Sequence, residues 1–82
     1  MSLTTTQAIE KFSELSSHDA YLTDIDKLVT ELKFYHNNDN YRPFDEIISQ
    51  AVVDYVQETF GELHSVFIEK VTSDIEYDLD FV

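Results

Sequence analysis

The sequence predicts a mainly α-helical domain, a small bundle of three to four helices with an extended or β-paired C-terminal segment. Three observations carry this expectation. Apolar residues recur at helical spacing from Ala8 to Val71; the single proline, Pro43, and the single glycine, Gly61, stand where helices would begin and end; and the last residues alternate apolar with acidic. The alternative is an α+β fold in which the C-terminal residues form a hairpin.

Thr4 and Gln7 match a capping box, in which each side chain satisfies an orphan backbone donor of the other residue, so a first helix is expected from there. Its apolar positions are Ala8, Ile9, Phe12 and Leu15. Ser16 and Ser17 interrupt it, and either side chain suits the N-cap of a second helix. That helix has the clearest signal: Tyr21, Ile25, Leu28, Leu32 and Tyr35 repeat as i, i+4, i+7, i+11 and i+14, with Leu22 and Val29 widening the stripe. The run Asn37-Asn38-Asp39-Asn40 ends it, because Asn and Asp tolerate left-handed angles and bond their own turns.

Pro43 fits the first turn of a third helix, where its missing N–H costs nothing, and Asp45 and Glu46 then lie near the positive end of the helix dipole. Phe44, Ile47, Ile48, Ala51, Val52, Tyr55 and Val56 form the buried stripe. A break or kink is expected near Gly61, although the spacing of Phe60, Leu63, Phe67 and Val71 lets a helix continue or restart.

Beyond Ser73, Ile75, Tyr77, Leu79 and Phe81 alternate with Glu76, Asp78 and Asp80, the period of a half-buried strand. Asp is a poor helix former, like charges four apart repel, and acids at a C-terminus oppose the helix dipole, each by about 0.2–1 kcal/mol. A strand here needs a partner for its backbone groups, either residues 65–71 as a hairpin or a neighbouring chain. As a strand, Asp74, Glu76, Asp78 and Asp80 would point to one side at about 6.6 Å intervals, like the charges of a polyanion.

At 82 residues, the chain is read as a single small acidic domain over residues 1–82. With 43% hydrophobic residues it can build a core, yet a domain this small buries only somewhat more than about 60% of its unfolded surface, which leaves a homodimer open. No apolar run approaches about 18 residues, and residues 1–6 lack the pattern of a secretory leader, so a soluble, cytoplasmic protein without membrane contact is expected.

Several chemistries are excluded or disfavoured. Absence of cysteine removes disulfides, thiolate metal sites and Cys nucleophiles, and a single glycine cannot supply a phosphate cradle or a dinucleotide fingerprint. The Asn-rich run fails the calcium-loop pattern, since no starting register brings a glycine to its sixth position. His18, His36 and His64 show no two-ligand helical spacing, and adjacent Ser17-His18-Asp19 cannot converge as a triad. No cofactor, metal or catalytic residue is therefore assigned, and a non-enzyme is expected.

Charge carries the functional expectation. The chain holds 17 acids against 5 bases, a net charge of −12, and residues 44–82 contribute ten of the acids but only Lys70 as a base. A net charge of roughly 2–8 in magnitude is ample for solubility in a small domain. Nucleic acid would be repelled and basic protein surfaces attracted. The expected function is thus to block a basic surface of a partner protein, nucleic-acid-binding surfaces included, in the manner of phage-type inhibitors or nucleic-acid mimics; that analogy rests on size and charge alone. Candidate partner-binding residues are Asp54, Glu58, Glu62, Asp74, Glu76, Tyr77, Asp78, Asp80 and Phe81, with Tyr77 and Phe81 as aromatic anchors among steering acids. Tyr41 is a further aromatic placed for contact. The alternative is a helical adaptor or structural subunit that oligomerises through Tyr21, Ile25, Leu28 and Leu32.

Overall fold

The structure, a computed structural model, describes residues 2–38 and 42–79, with Asn38 described by its backbone alone. It contains four helices, α1 Thr5–Ser16, α2 Asp19–Asn38, α3 Phe44–Phe60 and α4 Ser65–Leu79, and no strand among the described residues.

Local chemistry explains each boundary. The Thr4 hydroxyl accepts the Gln7 N–H at 3.1 Å while the Gln7 side chain accepts the Thr4 N–H at 3.0 Å, completing the capping box of α1. Ser16 and Ser17 act on α1 instead of capping α2: their hydroxyls donate back to the carbonyls of Ser13 and Glu14, at 3.4 and 2.7 Å. Pro43 is the N-cap of α3, one position earlier than the first turn proper. Gly61 ends α3 in the left-handed region at φ 78°, where a side chain would strain the backbone, and its N–H donates to the Gln57 carbonyl. The Lys11 ammonium also donates to the Phe60 carbonyl at 3.0 Å, so a cation from α1 closes the negative end of α3. At the start of α4, the His64 ring accepts the Val66 N–H through Nδ1 at 3.1 Å, and the His64 carbonyl accepts the Ile68 N–H.

The helices α2 and α4 form the centre of the bundle, each packing against the other three. From α4 come Phe67, Val71 and Ile75, all with no exposed surface, and Leu79; from α3 come Ile47, Ile48, Val52, Tyr55, Val56 and Phe60. Tyr21, Ile25, Val29 and Leu32 of α2 and Ala8 and Phe12 of α1 complete the core. Aromatic rings connect the elements: Phe60 stacks on Phe67 with centroids 4.3 Å apart, and Phe12 meets Tyr21 edge-on at 5.6 Å. Tyr21, Ile25 and Leu32 of the stripe expected to serve oligomerisation are buried inside this chain's own core, and Leu28 packs against that core while keeping part of its surface exposed.

The extended or β-paired C-terminal segment is corrected to helix as far as Leu79; residues 80–82 lie outside the described part. Ile75 and Leu79 continue the four-residue spacing of Phe67 and Val71, and all four are at most 5% exposed. Full burial of a large apolar side chain is worth about 1.5–3 kcal/mol, which outweighs the ~0.2–1 kcal/mol local penalties of the acidic residues between them. The apparent period of two arises because Ile75 and Leu79 belong to the helical stripe while Tyr77, between them, points to solvent at 85% exposure. The row of carboxylates disappears with the strand. Residues two apart on a helix are rotated by about 200°, so Glu76 leaves the side shared by Asp74 and Asp78.

Candidate functional site

The last two turns of α4 position the site. Burial of Val71 and Ile75 fixes the helix rotation, which places Asp74 half-buried beside α2 and leaves Tyr77 and Asp78 exposed. Across from them α2 presents Leu22, 60% exposed, next to buried Tyr21 and Ile25, and α1 contributes Phe12 and Ser16. These residues line a groove of about 370 Å³ at the meeting of three helices. Its chemistry is an apolar floor, two large apolar side chains on its walls and two carboxylates one helical turn apart.

The carboxylates differ in their freedom. Asp74 accepts a 2.5 Å hydrogen bond from the Tyr21 hydroxyl, which ties α4 to α2. Asp78, one turn later and exposed, is the one placed to steer a cation. A second tyrosine–carboxylate link, Tyr55 to Asp24 at 3.1 Å, joins α3 to α2.

Both linking tyrosines resist ionisation. Burial is the main cause for Tyr21, reinforced by its bond to Asp74 and by that carboxylate's charge, and the hydroxyl is raised far above the ordinary value of 10. Burial likewise pushes Tyr55 up to about 12, with Asp24 adding to the effect and Thr59 opposing it. The folded chain therefore keeps two protons that an unfolded tyrosine releases near pH 10. Since these pKa values are raised on folding, the stabilisation is complete below about pH 10 and is lost as pH rises towards the folded values, about 12 for Tyr55 and higher for Tyr21. Urea midpoints measured from about pH 9 to pH 12 are expected to fall steeply above pH 10. Tyr55→Phe should flatten part of that decline, and a midpoint independent of alkaline pH would contradict the two links.

The other expected site residues do not converge on this groove. Asp54 and Glu58 lie on the exposed side of α3, where Asp54 accepts from the Gln50 side-chain amide at 3.0 Å and borders a separate groove between α2 and α3. Glu62 serves the turn between α3 and α4, its two oxygens accepting from the Leu3 N–H at 3.3 and 3.2 Å. Glu76 borders a third cleft together with Asp45, Phe44, Ile48 and Leu79. Asp80 and Phe81 lie outside the described residues, as does Tyr41. The expected constellation is thus reduced to Asp74, Tyr77 and Asp78. Leu22 joins it unforeseen: in sequence it widened the α2 stripe, but it sits one residue off the Tyr21–Ile25 spacing and faces outward.

Two of the five basic side chains are directed to uncharged groups, Lys11 to the Phe60 carbonyl and Lys70 over the Phe12 ring at 5.7 Å from its centroid. No carboxylate is buried among the described residues.

No protein-family model, curated protein or solved structure matches the chain. Among the described residues, no three His, Asp or Glu side chains are grouped to hold a metal ion, and no helix is long and apolar enough to cross a membrane.

Proposed function

We propose that the protein is a non-enzymatic acidic binding module that occludes a basic surface of a partner protein, and that the groove between α2 and α4 is its contact. One observation carries the reading: Tyr77 and Leu22, 85% and 60% exposed, face one groove together with the carboxylates of Asp74 and Asp78. Scattered exposed apolar residues need no explanation, but a tyrosine set between two acids beside a second apolar side chain combines an anchor with electrostatic guidance. The net charge of −12 selects a basic partner and opposes nucleic acid, anionic lipid or a second equally acidic copy. A surface that normally receives phosphates is the protein surface that best complements such a charge.

Affinity purification from lysate at low salt tests this. Basic nucleic-acid-handling proteins are expected to be enriched, to dissociate as salt rises through the physiological range, and to be displaced from the complex by duplex DNA. A neutral partner held equally well at high salt would defeat the proposal.

A further inference from the structure

We infer that the groove between α2 and α3 is a second, separate docking site, and that its occupant is a basic amphipathic helix of a partner protein. Half-buried Leu28 and Ala51 and buried Leu32 form its floor, Tyr35 stands over it 48% exposed, and Glu31 and Asp54 border it. Its volume of about 220 Å³ falls below the ~300–1,000 Å³ of a typical small-molecule site, but holds the apolar side chains of a helix laid across it.

Three physical arguments select the occupant. The walls are side chains of two helices, which offer no strand edge to an extended peptide, whereas a helix satisfies its own backbone and can lay an apolar face on the floor. Exposed Glu31 and Asp54 flank the floor, so lysine or arginine beside the apolar stripe of the incoming helix meets opposite charge. A second copy of this chain would instead bring a net charge of −12 against the same sign. Arg42 also borders the groove, and it shares a neighbouring cleft with Asp45 and Glu46 of the first turn of α3, whose charges offset its own. Neither Tyr77 nor Asp78 lines this groove, so the inference does not rest on the site between α2 and α4.

The test is a titration of the isotope-labelled full chain with a designed helical peptide of leucine on one face and lysine on the other, followed by amide chemical shifts. A peptide of the same composition in scrambled order measures attraction by charge alone. Shifts are expected at residues 28–35 and 47–54, with the scrambled peptide weaker by about tenfold or more. The double variant Glu31→Lys with Asp54→Lys should lose about tenfold in affinity, whereas Asp78→Lys should change it less than about twofold. Circular dichroism of each variant confirms that the helices are retained. Equal binding of both peptides, shifts spread over all acidic surfaces, or shifts confined to the Tyr77 groove would each overturn the inference. So would self-association of the chain that Leu28→Glu abolishes, which would assign the groove to a second copy.

Discussion

Phe67→Ala is expected to unfold a large fraction of the protein at physiological temperature. The ring is fully buried, stacks on Phe60 at 4.3 Å and receives the edge of His64 at 5.8 Å, so its removal leaves a cavity bounded by two elements. Truncating a buried phenylalanine costs about 3–5 kcal/mol, while a chain of this length has a total stability of roughly 4–12 kcal/mol at about 0.05–0.15 kcal/mol per residue. Thermal unfolding followed by circular dichroism should show the midpoint lowered by about 15 °C or more. Phe67→Leu, which refills much of the space, should recover part of the loss. A midpoint within about 2 °C of the parent would show that α4 is not the centre of the core.

The opposite behaviour is expected of Tyr77. At 85% exposure its truncation to alanine removes almost nothing from the folded state, and stability should stay within about 0.5 kcal/mol of the parent. In a complex with the proposed basic partner, the same substitution should cost about 2 kcal/mol or more, close to thirtyfold in Kd, because the ring is the largest group available for desolvation in the groove. Asp78→Lys should act differently, slowing association and weakening its dependence on salt, since an exposed charge contributes mainly to steering. Asp74 is unsuited to the same test, as it also receives the Tyr21 hydroxyl and a substitution there disturbs the α2–α4 contact. Calorimetry and stopped-flow association with the purified partner would measure both effects. Full affinity in Tyr77→Ala would move the contact to another face.

What was legible in the sequence follows the strength of the local signal. The capping box at Thr4, the stripe of α3 and the stop at Gly61 each rest on chemistry confined to a few neighbouring residues, and all three are realised. The C-terminal segment departs from its local pattern because what decides its conformation is tertiary burial. Nothing local announces that Ile75 will have no exposed surface, and the weak local terms point to a strand. The same difference reaches the site, since side-chain direction depends on the period: a helix in place of a strand separates Glu76 from Asp74 and Asp78. Leu22 and the Tyr21–Asp74 bond were illegible for a related reason, each depending on how α2 is rotated against a helix more than fifty residues away. Tyr77 is exposed only because the segment is helical: as a strand it would share a face with Ile75 and Leu79, whereas on α4 it falls outside their stripe and is 85% exposed.

The position of α4 in chain order has a consequence for biosynthesis. The first three helices are synthesised before α4, the element against which each of them packs, and the ring that stacks on Phe60 is added only with Phe67. The core is therefore complete only once α4 is available, and until then the repulsion between these acidic chains, of net charge −12 when complete, opposes clumping.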